Sequence, residues 1–201
     1  DRVSIPGFTV FYKNRIKFKR RSGGLMLCVK NKFVKNITVF ELNSRKSMID
    51  TAVLGNYHFV DFDICPDILY FKFDKLLLGK DILFGCVYFP PEGSDYFDRN
   101  SFISLENDIV NLNIEYVCLL GDFNARTGTV SDTVFNTDLD DDEDLFQNSC
   151  SFVLPERVSD DSNTNNMGFR LLDFCSTVNT FIVNGRFGYN SGKCTCKDSS
   201  V

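Results

Sequence analysis

The chain has 201 residues, 43% of them hydrophobic and 24% charged, which is ordinary for a globular protein and enough for one domain with a sizeable core. No apolar run approaches the ~20 residues that span a bilayer, so a membrane partner is excluded from the reading. The net charge of −5 conceals a division: residues 1–50 carry 12 basic and 3 acidic side chains, a balance of +9, and residues 92–165 carry 3 basic and 17 acidic, a balance of −14. The basic end can take phosphates or can equally be a solvated hairpin surface.

In chain order, Phe8–Tyr12 and Leu25–Val29 are predicted strands, joined by the basic turn Lys17–Gly24, where Gly23-Gly24 supply positive φ. Ile37–Leu42 is a third strand. Ile68–Phe73 and Ile82–Phe89 are near-continuous apolar runs that suit strands buried on both faces, joined by a turn at Gly79–Asp81. Pro90-Pro91 stops the second of these, because proline cannot donate to a ladder. Ser101 caps a predicted helix over 101–113 with Phe102, Leu105, Ile109 and Leu112 at helical spacing. Tyr116–Leu120 is the next buried strand. The polar, acidic stretch 127–166 is a long loop, 168–178 a helix, and Phe181–Val183 a last strand.

Twenty-one Phe and no Trp predict a Phe-rich core. Of the eight cysteines, Cys28, Cys86, Cys118 and Cys175 lie in apolar runs, where a free thiol packs as a small hydrophobe. Reduced cysteines imply an intracellular setting. Cys194-x-Cys196 has the wrong spacing for half a zinc site, and the one histidine, His58, supplies no complement.

The chemistry centres on Leu119-Leu120-Gly121-Asp122-Phe123-Asn124-Ala125. An apolar strand running into Gly-Asp-Phe-Asn sets two short polar side chains at its carboxyl end. In extended geometry Asp122 and Asn124 point the same way, with Phe123 turned to the core. A carboxylate there can hold Mg²⁺ or take a proton from water, and a carboxamide can donate to a phosphate oxygen. An isolated Asp-x-Asn also forms an Asx-turn that merely ends a strand.

The form Leu-Leu-Gly-Asp-Phe-Asn-Ala-Arg resembles the Gly-Asp-x-Asn signature of the DNase I-like endonuclease/exonuclease/phosphatase superfamily, most closely the apurinic/apyrimidinic-type endonuclease of non-LTR retrotransposons. Other segments follow that family's order: Ile5-Pro6-Gly7-Phe8 with Gly23-Gly24, Val87–Pro91, Arg157-x-Ser159-x-Asp161, Gly168-x-x-Leu171-Leu172-Asp173-Phe174-Cys175, Asn184-Gly185-Arg186, and Thr195 to Val201. The resemblance covers essentially residues 1–201 as one partial domain. It implies an α/β (α+β) four-layer sandwich of two β-sheets flanked by helices. It also implies Mg²⁺-dependent (or Mn²⁺-dependent) nicking of DNA in the nucleus, with a reverse transcriptase on the same polypeptide.

Carried over residue by residue, Asp122 orients or deprotonates water and touches the metal, Asn124 and Tyr88 bond the scissile phosphate, and Thr195 and Arg126 lie toward the substrate. On its own residues Tyr88 reads first as a buried strand aromatic, and Arg126 equally as a solvated loop cation. The family's metal-binding Glu and its Ser-Asp-His segment have no counterpart here, and the chain opens Asp1-Arg2-Val3 without Met. The expectation is an internal piece, incomplete at both ends, that is inactive alone. Two rivals stand beside it: another phosphodiesterase or phosphatase of the superfamily acting on lipid or inositol phosphates, and a non-catalytic remnant that binds nucleic acid through residues 13–35.

Overall fold

The computed structural model describes residues 3–17, 20–42, 56–133 and 154–188, with mixed α+β content. The chain divides into two compact units, Asp1–Asn124 and Ala125–Val201. Among the described residues no helix is long and apolar enough to cross a membrane.

The first unit begins with an antiparallel hairpin of β1 (Phe8–Lys17) and β2 (Arg20–Lys30). Both strands run further than sequence periodicity suggests, so Gly23 and Gly24 fall inside β2 rather than in the turn. Their φ values of 70° and 153° accompany a register shift between Asn14 and Ile16. A Cβ on Gly24 would stand 2.7 Å from the Lys13 carbonyl oxygen, which is why this strand position is glycine.

Five strands form a mixed sheet, in the order β4 (Asn56–Val60), β3 (Ile37–Leu42), β5 (Ile68–Phe73), β6 (Ile82–Tyr88), β7 (Tyr116–Asp122). β3–β4 and β6–β7 pair in parallel; β3–β5 and β5–β6 pair antiparallel. β3 and β5 keep their expected bounds. The connection ahead of β6 holds a single helical turn, α1 (Lys75–Leu78), capped by Asp74 and ended by Gly79 at φ 73°. α2 (Ser101–Leu112) follows β6, its N-cap Asn100 rather than the expected Ser101, whose hydroxyl donates to the Asp98 carbonyl.

Period-2 alternation explains the layers. Leu69 and Phe71 of β5, with Ile37 and Val39 of β3, pack against Phe11 and Val29 of the hairpin. The alternate β5 residues Ile68 and Tyr70 are also buried, and the Tyr70 phenol donates to Asp108 of α2 at 2.9 Å. β5 is thus covered on both faces, as its apolar run predicts. Each fully buried Ile, Leu or Phe adds ~1.5–3 kcal/mol. β6 differs from expectation: Leu83, Gly85 and Val87 are buried, while Phe84 and Cys86 are half-buried and Tyr88 is 38% exposed. β7 is half-buried to exposed, not a core strand.

Among the described residues Cys65 and Cys175 are buried free thiols, and Cys28, Cys86 and Cys118 are half-buried and free. Burial pushes the Cys65 thiol up to about 12 and that of Cys175 up to about 11, so both are protonated packing groups.

The second unit contains α3 (Asn166–Thr177), capped by the Asn165 side chain, which accepts from the Gly168 amide at 2.7 Å. Met167, Leu172, Phe174 and Cys175 are its buried face. Buried Asp132 accepts from the Ile182 amide at 2.6 Å and from Arg186, and lies 3.7 Å from the Arg157 guanidinium, tying three loop segments together. Phe181–Val183, expected as a strand, is irregular, with Phe181 and Val183 exposed. Of the long acidic stretch, 134–153 lies outside the described residues.

Candidate functional site

The parallel pairing of β6 with β7 sets Tyr88 in register with Asp122, so the carboxyl ends of both strands present these side chains together. Neighbouring strands run ~4.8 Å apart, which puts two residues distant in sequence within reach of one small ligand. Backbone close approach makes the pair possible. Gly121 has φ 146°, and a Cβ there would lie 1.9 Å from the Val87 carbonyl oxygen. The Phe89 amide donates to the Asp122 carbonyl at 2.9 Å, extending the tie one residue past β6.

Asn124 is not in extended geometry. Its φ is 49°, and its amide donates to Asp122 Oδ1 at 2.8 Å, an Asx-turn at the strand end. The turn, rather than strand alternation, brings the two side chains together. The Asn124 carboxamide Nδ2 donates to the Phe89 carbonyl at 2.8 Å and stands 3.4 Å from Asp122 Oδ2. Phe123 packs as expected, edge-on to Phe89 at 5.6 Å and stacked on Phe102 of α2 at 6.3 Å.

Sequence reasoning missed the groups around Tyr88. Its amide donates to the Asp67 carbonyl at 3.0 Å, and its own carbonyl accepts from Arg15 Nη2 at 3.1 Å. The Arg15 guanidinium carbon lies 5.1 Å from the Tyr88 ring centroid and 5.6 Å from that of Tyr96. Buried Asp67 holds Arg15 through one carboxylate oxygen, which accepts Nε at 2.8 Å and Nη2 at 2.5 Å. The available signal was the glycine pair inside an apolar β pattern, which marks a bulge. The partners Asp67 and Tyr96 have no local signature.

Of the other expected residues, Arg126 belongs to the second unit. There it makes a two-pronged pair with Asp161, Nε to Oδ2 at 2.8 Å and Nη2 to Oδ1 at 2.9 Å, and that guanidinium holds the Asp161 carboxyl down at about 2. Any substrate of Arg126 must compete with this pair. Thr195 lies outside the described residues, as do Cys194, Cys196 and Ser199–Val201. His58 sits on β4, the opposite edge of the sheet from β7, with its ring 5.3 Å from Phe40.

Among the described residues no three or more His, Cys, Asp and Glu side chains gather into a metal-binding group. Asp122 offers one exposed carboxylate. That is a fit for Mg²⁺, which keeps several waters and takes one or two carboxylates, and not for a metal that demands a protein cage. Two cavities of about 230 and 240 Å³ open elsewhere on the first unit, and neither is lined by Tyr88, Asp122 or Asn124. The site is an open strand end, suited to an extended ligand. The chemistry on offer is a carboxylate able to bind a cation or accept a proton, beside a phenol and a carboxamide able to donate to an anionic oxygen. Comparison with family models, curated proteins and solved structures finds no match to the chain.

Proposed function

We propose that this chain carries the central part of a metal-dependent DNA endonuclease of the DNase I-like type, which nicks target DNA in the nucleus for a non-LTR retrotransposon. The observation that carries the reading is the register of Tyr88 with Asp122, completed by the Asn124 turn at the same strand ends. The sheet, its flanking hairpin and α2 are compatible with layers of a larger four-layer sandwich. In this reading Asp122 contacts Mg²⁺ and orients or deprotonates water, while Tyr88 and Asn124 donate to the scissile phosphate. Arg126 and Thr195 are lesser substrate contacts. The metal supplies charge neutralisation at the phosphate. In this reading a reverse transcriptase on the same polypeptide would use the 3′-hydroxyl.

The test is nicking of supercoiled plasmid with and without Mg²⁺. Residues 1–201 alone are expected at background, and the reading frame extended through an upstream Glu and a downstream Asp-His is expected to nick only with metal. In that longer chain Tyr88→Phe should slow single-turnover nicking by about one to two powers of ten, the worth of one hydrogen bond to a charged group. Robust nicking by residues 1–201, or none by the extended chain, would sink the reading.

One observation favours a different role. Both side chains of the turn already have protein partners: Asp122 accepts from the Asn124 amide, and Asn124 donates to the Phe89 carbonyl just past the end of the neighbouring strand. On that reading the turn only ends a strand, and the chain is a remnant that binds nucleic acid without cutting it.

A further inference from the structure

Arg15 is placed with unusual care for a surface-strand arginine. The register shift in the hairpin, with Gly24 at φ 153° opposite Asn14, falls at this residue. Bulges of this kind re-aim a side chain. The guanidinium is then fixed on three sides: Asp67 Oδ1 takes Nε and Nη2, the Tyr88 carbonyl takes Nη2, and the rings of Tyr88 and Tyr96 flank it. Its side chain is 11% exposed and that of Asp67 5%. Among the described residues Nη1 has no hydrogen-bond partner, and it is not one of the buried polar atoms left unsatisfied. A guanidinium locked in this way, with one N–H₂ open to solvent beside an exposed phenol, is a pre-set donor for a phosphate oxygen.

We propose that Arg15 binds a DNA backbone phosphate through Nη1 beside Tyr88, adding a cation from the hairpin to the site. The inference rests on the nuclease reading of Tyr88 and Asp122. It assigns Arg15 to substrate binding, because the guanidinium is spent on Asp67 for orientation and retains one donor edge for the ligand. A phosphate contact of this sort carries no base information, so it strengthens binding to all sequences alike.

The test uses the 201-residue chain with arginine and tyrosine isotope labels, titrated with two 12-base-pair duplexes of unrelated sequence in EDTA at low salt. The Arg15 Nε–Hε signal and the Tyr88 ring signals are expected to shift together. Arg15→Gln alone would take the guanidinium away from the buried Asp67 carboxylate. The decisive variant is therefore the double Arg15→Gln, Asp67→Asn, which keeps a polar side chain at each position and leaves net charge unchanged. It is expected to bind both duplexes about tenfold more weakly, and equally so, since the loss of a phosphate contact is uniform across sequences. A folded double variant with wild-type affinity overturns the proposal. Where the double variant fails to fold, the wild-type spectrum decides, and an Arg15 signal that stays put at saturating duplex overturns it equally. Tyr88 ring signals that ignore both duplexes would instead remove the nuclease reading beneath it.

Discussion

Asp122→Asn is expected to lower Mg²⁺-dependent nicking in the extended chain by about 10²–10⁴, the usual cost of losing a general base, with little change in melting temperature. The substitution is chosen for what it keeps. The carbonyl oxygen of the new amide can still accept from the Asn124 amide, as Asp122 Oδ1 does at 2.8 Å, so the Asx-turn survives. What disappears is the negative charge, and with it the affinity for a divalent cation and the capacity to take a proton. A purely structural Asp122 would tolerate the change almost silently. Asp122→Ala separates the two roles less well, because it also leaves the Asn124 amide without its acceptor, a loss of roughly 0.5–1.5 kcal/mol. Parallel single-turnover rates and thermal melts of both variants decide the matter. Wild-type nicking by Asp122→Asn would return the segment to a strand-ending turn.

Gly121→Ala is expected to be the most disruptive single methyl at the site. The added Cβ would meet the Val87 carbonyl oxygen at 1.9 Å and its carbon at 2.8 Å, both backbone atoms of the paired strand, which cannot rotate away. The φ of 146° adds conformational strain that glycine does not incur. Strain of ~1–3 kcal/mol and overpacking of ~1–3 kcal/mol together give a loss of about 2–6 kcal/mol. For a chain of this size that lowers the melting temperature by roughly 4–24 °C. Thermal and urea unfolding of the variant check it, and an unshifted melt would show that β6 and β7 do not approach as described.

The strands carrying the strongest apolar runs were legible. β3 and β5 have the bounds their sequences suggest, because burial on both faces leaves little freedom in where such a run begins and ends. β4 was missed although Asn56/His58 and Tyr57/Phe59 alternate across it, since five residues with two polar ones give a weak period. Phe181–Val183 erred the other way: among the described residues it pairs with no strand, β propensity alone makes no ladder, and the segment is irregular. At the site, Gly-Asp-Phe-Asn was readable as local chemistry, but its geometry was not. Alternation suggested a shared direction for Asp122 and Asn124, whereas a left-handed Asn124 and a side-chain hydrogen bond produce their proximity. Arg15 and Asp67 were invisible because their meeting depends on a bulge and on pairing between residues 52 positions apart.

The parallel pairing of β6 and β7 also governs when the site can exist. A hairpin brings its two strands together by a short local turn, but a parallel neighbour must be reached by a crossover, here residues 89–115 with α2 in their midst. Closing that loop is entropically unfavourable before any strand contact compensates it. Tyr88 and Asp122 therefore come together only when the crossover of residues 89–115 closes, so the ligand-competent surface depends on a non-local pairing of the sheet. A segment that stops short of β7 would display the Tyr88 end of β6 without Asp122 beside it.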